Sequence, residues 1–307
     1  MQINQLTYFV AVARTRHFTQ AAEQTGVSQP TLSKQIRVLE NSFGTPLFVR
    51  ERGAIELTSA GEALLPHAQR IVLEAENAVR SVHEVAMLRR GRVRLGATPS
   101  LCESLLPEAL NLFHRKYPDV ELEIHEAGSG VLTQELVLGR LDIALVIEPF
   151  HDAASELEST RLMTESLVLA SPVESAMPDA MSVADLREVP LVMFREGYDL
   201  RDVTIRACAD AGFAPLLAIE GGEMSAVLRF VESGLGCAIV PSMVLGTRPQ
   251  LLATRLTDPA LDRTIAIAHR GPTPLTLAAQ TFKADLLRYL TTHRHTLRGV
   301  SVTSPTM

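Results

Sequence analysis

The sequence predicts an α/β protein headed by a small, mostly helical unit with a winged helix-turn-helix pattern, the two parts joined by one long linker helix. Three observations predict this. Two short helical segments meet at Gly26-Val27 and are followed by two apolar runs around Arg50, Arg52 and Gly53. A long apolar seam then starts at Thr58-Ser59-Ala60-Gly61-Glu62 and runs to about residue 90. From residue 92 onward, strand-like and helix-like segments alternate.

The most informative helix opens at S-Q-P-T-L-S-K-Q-I-R-V-L. Ser28 is placed to cap it by accepting a bond from a free backbone N–H. Pro30 falls in the first turn, where its missing N–H costs nothing and its fixed φ helps. Leu32, Ile36, Leu39 and Phe43 form an apolar stripe for burial. Gln29, Ser33 and Arg37 run along another face, with Pro30, Thr31 and Lys34 beside them and no acid among them. Such a face wants a partner.

What surrounds this helix names the partner's chemistry. Leu6, Phe9, Val10 and Ala13 make a first stripe, and Thr19 is read as the cap of Q-A-A-E-Q-T, whose Ala21 and Ala22 permit close helix approach. In a helix-turn-helix unit the second helix enters the DNA major groove, N-terminal residues at base edges. Gln29 can pair bidentately with adenine, Lys34 can reach guanine or a phosphate, and Ser33 can serve base or backbone. The following segment reads as a β-hairpin with a basic tip, able to lay Arg50 and Arg52 on phosphates. In the first sixty residues the bases Arg14, Arg16, Lys34, Arg37, Arg50 and Arg52 outnumber Glu23, Glu40, Glu51 and Glu56, although the whole chain stands at −6. A basic head on an acidic body fits a local DNA contact and argues against general polyanion binding.

The opening, F-V-A-V-A-R-T-R-H-F-T-Q-A-A-E-Q-T-G-V-S-Q-P-T-L-S-K-Q-I-R-V-L-E-N-S-F-G-T-P-L-F-V-R followed by L-T-S-A-G, resembles the LysR-type transcriptional regulators. R-G-R-V-R-L-G then opens what the resemblance implies is a two-lobed regulatory domain of periplasmic-binding-protein type. The expected organisation is a DNA-binding domain over 1–60, a linker and dimerisation helix over 61–91, and an effector-binding domain over 92–298. Its lobes are expected at 92–164 with 269–298, and at 165–268, with 299–307 a disordered tail.

Composition agrees. With 307 residues and 46% hydrophobic content the chain can bury a sizeable core in about two domains. Cys102, Cys208 and Cys237 are three cysteines without CxxC spacing, which points to reduced thiols and a cytoplasmic setting. No leader and no apolar run near about 18 residues is apparent, so neither secretion nor a membrane partner is expected.

Strands are expected at 93–98, 120–126, 142–147, 167–170, 191–194, 216–220, 237–240 and 264–268, with helices at 101–117, 131–138, 202–211, 224–233 and 275–292. This βαβ alternation predicts parallel sheet with helices on both faces and a ligand at the carboxyl ends of the strands. Thr98 and Ser100, Ser129 and Gly130, Glu148, and Gly222 lie where strands run into helices, where free N–H groups bind anions. The resemblance places Ser100, Ser129, Asp199, Leu200, Glu223 and Met224 at effector-contacting positions. As residues alone, Ser100 and Ser129 also read as helix caps, and Gly128, Gly130 and Gly222 as turns. Arg195 and Arg201 are the candidate partners for an effector carboxylate, with Arg201 bridging from the opposite lobe to a floor made by Ser100 and Ser129.

No GxSxG, GxxxxGK[ST] or HExxH motif occurs, Gly234 and Gly236 lack the third glycine of a dinucleotide fingerprint, and His293-Arg294-His295 makes a poor metal site. No enzyme, cofactor or metal is therefore expected. Two other readings stay open: a cysteine-based redox switch, and a solute-binding module. Peroxide-sensing members of the resembled family carry a reactive cysteine nine residues before a second one, in a C-L-R-D context. Here Asp199-Leu200-Arg201-Asp202 stands there, with Cys208 nine residues on. The partners expected are double-stranded promoter DNA, a small-molecule effector, a second copy paired through the linker helix, and a homotetramer by resemblance, with RNA polymerase a further candidate.

Overall fold

The computed structural model describes residues 1–51, 54–86, 91–150, 156–271, 274–293 and 299–302. Two compact units emerge, one of Met1–Leu88 with Leu138–Arg140, the other of Arg89–Val137 with Leu141–Met307.

The first unit contains α1 (Ile3–Thr15), α2 (Phe18–Gln24), α3 (Gln29–Phe43), the hairpin β1 (Phe48–Glu51) and β2 (Ala54–Leu57), and α4 (Ser59–Ala86). Arg16, with φ 50°, ends α1, and His17 rather than Thr19 caps α2, its side chain accepting from Gln20 N–H. Gly26 turns the chain toward α3 at φ 68°, where Ser28 Oγ accepts from Thr31 N–H. Phe9, Phe18 and Phe48 meet at the centre of this unit, with ring centroids 5.2 and 6.0 Å apart. Leu32, Ile36 and Leu39 are buried against them, whereas Phe43, expected in the same stripe, is 45% exposed because α3 ends at Gly44 just beyond the core. Glu40 faces inward from α3 and accepts from Leu47 and Phe48 N–H, which ties the start of the hairpin to that helix.

In the second unit come β3 (Arg92–Ala97), α5 (Pro99–Glu103), α6 (Leu106–Lys116), β4 (Glu121–Glu126), α7 (Ser129–Val137), β5 (Ile143–Glu148) and β6 (Leu157–Pro172). Then follow β7 (Ala180–Ser182), β8 (Leu191–Met193), α8 (Asp199–Asp210), β9 (Leu217–Glu220), α9 (Met224–Glu232), β10 (Ala238–Pro241), β11 (Leu251–Thr257), β12 (Asp262–Arg270), α10 (Leu277–His293) and β13 (Val300–Val302).

The sheet, expected to be parallel, is mixed. β3 pairs in parallel with β4 and β5, but β12 pairs antiparallel with both β5 and β6. α6 and α10 cover one face of this lobe through Phe113 and Phe282, and α7 covers the other through Leu132 and Leu136. β6 is the long element that passes between lobes. Its first half pairs with β12, its second half with β10 and β11. The second lobe's core gathers Leu167, Leu169, Val192, Val227 and Ile239, and β8 pairs in parallel with β9. Because Ile265 and Ile267 of β12 pack in the first lobe's core, the chain returns to that lobe near Asp262, several residues before the expected 269. Val300–Val302, expected to be tail, pairs antiparallel with β6, its alternating valines half-buried; residues 303–307 lie outside the described residues.

Two charged clusters tie the lobes. Arg248 donates to Glu103 on α5 at 3.0 Å and to Glu232 on α9 at 2.9 Å. Glu165 on β6, fully buried, accepts from Arg263 of β12 at 2.7 Å and from the Met243 backbone N–H at 2.8 Å.

Candidate DNA interface and effector cleft

At the amino end of α3 the structure exposes Ser28, Gln29, Pro30 and Thr31, with Lys34 and Arg37 one and two turns on. Ser33 is half-buried. Gln29, Lys34 and Arg37 have no side-chain hydrogen bond or ion pair among the described residues, so their donors are available to another molecule. By contrast Gln35, on the inner side, accepts from buried Gln5 Nε2 at 3.1 Å, which fixes α3 on α1. Arg50 pairs with Ile55 in the hairpin register, so its backbone is where a wing requires it; Arg52 at the tip lies outside the described residues.

Between the lobes of the second unit lies a cavity of about 250 Å³. Of the residues singled out from sequence, Thr98, Ser100, Arg195, Asp199, Leu200 and Glu223 line it. Pro99 and Ser100 open α5 after β3, and Asp199 and Leu200 open α8, so strand-to-helix junctions do supply the lining. Thr98 and Ser100 are buried and their hydroxyls lie 3.3 Å apart. Burial raises the Asp199 carboxyl above its ordinary range and Asp202 adds to this, while Arg263 and the Ser129 backbone N–H pull it back.

Other expected residues fall elsewhere. Ser129 uses its hydroxyl to accept from Ile147 N–H at 3.0 Å, and lines a neighbouring pocket with Gly130, Glu148 and the other edge of Asp199. Glu148 accepts from Arg161 at 2.6 Å. Arg201 does not reach across the cleft, because it donates to the Phe194 carbonyl at 3.0 Å and pairs with Glu220 of its own lobe. Met224 is core, at 1% exposure, and Gly222 turns the chain at φ 103° before α9. Arg195 lines the cavity but is engaged by Glu223 at 2.8 Å.

Sequence reasoning missed Glu126, Tyr198, Asp262 and Arg263, all in the lining. Glu126 ends a strand, which is the signal that could have found it. Asp262 and Arg263 begin β12, and only the antiparallel pairing of that strand brings them to the cleft. Tyr198 stacks on Phe194, centroids 4.6 Å apart, and burial raises its phenol so that it stays protonated.

Residues 3–62 match the model of the bacterial regulatory helix-turn-helix protein, lysR family, and residues 87–291 match that of the LysR substrate binding domain. This chain belongs to the LysR family. It is 34% identical over 87% of its length to the "Probable hydrogen peroxide-inducible genes activator" of Streptomyces viridosporus, 87% of which is covered. It is 30% identical to the transcriptional dual regulator GltC of Bacillus subtilis, over 94% of this chain and 97% of that one. Among solved structures, a full-length OxyR variant from Pseudomonas aeruginosa superposes with a TM-score of 0.71 at 25% identity, covering 99% of both chains. CbnR in complex with its target DNA gives a TM-score of 0.68 at 25% identity, covering 96% of this chain and 100% of that one.

As a LysR-type transcriptional regulator, the chain carries a DNA-binding head and an effector-binding domain. One of these relatives is described as a probable hydrogen peroxide-inducible genes activator. Burial, with Glu126 and Glu103 adding to it, pushes the Cys102 thiol up to about 12. Burial also raises Cys208 and Cys237. A peroxide-attacking cysteine needs the opposite, a thiol lowered toward neutrality.

Proposed function

We propose that this regulator reads promoter DNA as a dimer, with Gln29 and Ser33 at base edges and Ser28, Thr31, Lys34, Arg37 and the arginines of the hairpin on the backbone. Pro30 sets the helix start. The observation that carries this is the exposed, acid-free amino end of α3, where Gln29, Lys34 and Arg37 have no side-chain partner among the described residues. Dimerisation runs through α4, where Ile71, Val79 and Val82 stand 38%, 58% and 67% exposed along one apolar seam. Pairs of dimers give a tetramer, which meets RNA polymerase at the promoter in the cytoplasm.

The effector is a small molecule in the inter-lobe cavity, contacting Thr98, Ser100, Asp199, Leu200 and Glu223, and its binding alters DNA bending through lobe closure. The protein acts as a switch and not as an enzyme. Of the two guanidiniums expected to hold an effector carboxylate, Arg201 points into its own lobe and Arg195 is already paired, so support for a simple acid is weak. This reading takes domain limits of 1–60 and 61–91, with the effector-binding domain from 92 extended past the expected 298 to include Val300–Val302, and the return crossing moved to about residue 262.

Footprinting on the intergenic DNA upstream of the protein's own gene tests this reading. Two protected half-sites separated by whole helical turns are expected. Uniform, sequence-independent protection at all concentrations would remove it.

A further inference from the structure

We propose that the effector of this cleft carries an ammonium group, held by the carboxylates of Asp199 and Glu126. The proposal rests on the cleft being the effector site and concerns what that site selects.

Six charged side chains line the cavity: Glu126, Arg195, Asp199, Glu223, Asp262 and Arg263. Both cations are already engaged. Arg195 donates to Glu223 at 2.8 Å. Arg263 donates Nε and Nη2 to Glu165 Oε2 at 2.9 and 2.7 Å. Glu165 is fully buried, so drawing Arg263 away toward a ligand acid would leave an uncompensated charge inside the hinge, a strongly unfavourable change. The acids are in the reverse position. Asp199, Glu126 and Asp262 have no cation within ion-pair distance among the described residues, and Asp262 accepts only a neutral bond from Ser166 at 2.8 Å. A dicarboxylate entering here would meet three acids that have no cation beside them among the described residues and only neutral hydrogen bonds, from Ser166 to Asp262, from the Ser129 backbone N–H to Asp199 and from the Cys102 thiol to Glu126. An ammonium group would be attracted by all of them and could donate to them directly.

The neutral groups complete the site. Thr98 and Ser100, 5% and 1% exposed, share a single hydroxyl contact at 3.3 Å, which occupies one proton and leaves the other to a ligand. The Tyr198 hydroxyl has no hydrogen-bond partner among the described residues. Val131, Ile147 and Val203 supply apolar wall for a short carbon chain. A volume of about 250 Å³ falls below the roughly 300–1,000 Å³ usual for drug-sized ligands, which restricts the effector to a small molecule.

A matched four-carbon series separates the possibilities: 1,4-diaminobutane, 4-aminobutanoate and succinate, each titrated calorimetrically into the full chain at one ionic strength. Affinity should rise with the number of ammonium groups, and Asp199→Asn or Glu126→Gln should weaken 1,4-diaminobutane at least about tenfold. Three results would each overturn the proposal: succinate binding tightest, ammonium binding unchanged in both variants, or no binding by any of the three. Succinate binding tightest would still leave the cleft as the effector site, and none of these results touches the footprint on promoter DNA.

Discussion

Gln29 is the side chain whose loss should most change what this protein can read. It is exposed at the first turn of α3, its amide oxygen and nitrogen without a partner among the described residues, and a bidentate contact to adenine is worth about 1–3 kcal/mol of discrimination. Gln29→Ala should therefore bring specific and scrambled DNA closer in affinity, whereas Lys34→Ala should weaken both and flatten the salt dependence. Binding isotherms at two salt concentrations distinguish the two effects. The thiols give a second prediction at this scale. Burial, with Glu126 and Glu103 beside it, pushes the Cys102 thiol up to about 12, so little of it is thiolate near neutral pH. Alkylation of the folded protein should be far slower than that of a free thiol, and peroxide should leave DNA binding unchanged; a peroxide effect abolished by Cys208→Ser would contradict this. Gly61 supplies a third. A Cβ there would stand 2.2 Å from the Leu47 carbonyl oxygen, so Gly61→Ala should cost about 1–3 kcal/mol of stability in denaturant melts. Asp199 adds a pH signature. Its folded carboxyl is raised by burial, so the charged form is disfavoured in the folded state at neutral pH. Asp199→Asn should raise the unliganded melting temperature at pH 7, and the gain should vanish once acid protonates the wild-type side chain.

At the scale of elements, α3 was legible because cap, proline and apolar period all agree on one helix. α8 and α9 were legible from their apolar period alone, without a proline or a side-chain cap, and α8 starts at Asp199, three residues before the expected 202. The first half of β6 was not. It holds Glu165, which in sequence reads as surface and in the fold is buried only because Arg263 arrives from β12 nearly a hundred residues later. β7 and β13, three residues each, are fixed by their neighbours and not by their own pattern. The single helix expected over 101–117 breaks after Glu103, since Pro107 must sit in the first turn of a new one. The cleft was half legible on the same grounds. Junctions that follow strands in sequence, such as Thr98–Ser100, could be picked out, while residues delivered by long-range pairing, such as Arg263, could not. For α4, the exposed Val79 and Val82 have an expected outcome: Val79→Asp with Val82→Asp should shift sedimentation equilibrium toward monomer while circular dichroism keeps its helical signal.

Across the whole molecule, charge is divided by task. The chain is acidic at −6, yet Lys34 and Arg37, without an ion-pair partner among the described residues, sit on the helix that would meet DNA, and Asp199 and Glu126, without a cation partner among them, sit in the cleft. The body therefore repels nucleic acid while the head attracts it, which confines binding to one face. Inside the regulatory unit the two lobes are joined by β6 and by the return into β12, and Arg248 bridges Glu103 and Glu232 from one lobe to the other. A ligand touching Thr98 and Ser100 at the start of α5 acts on the same short helix that carries Glu103. Selection of binding sites from random duplex DNA tests the central claim most directly, with no promoter assumed. The full chain should enrich an interrupted inverted repeat, and the Gln29→Ala protein should fail to enrich it while keeping weak affinity for DNA at low salt. Failure of the wild-type chain to enrich any sequence, or recovery of the same repeat by Gln29→Ala, would contradict the assignment of α3 as the reading helix.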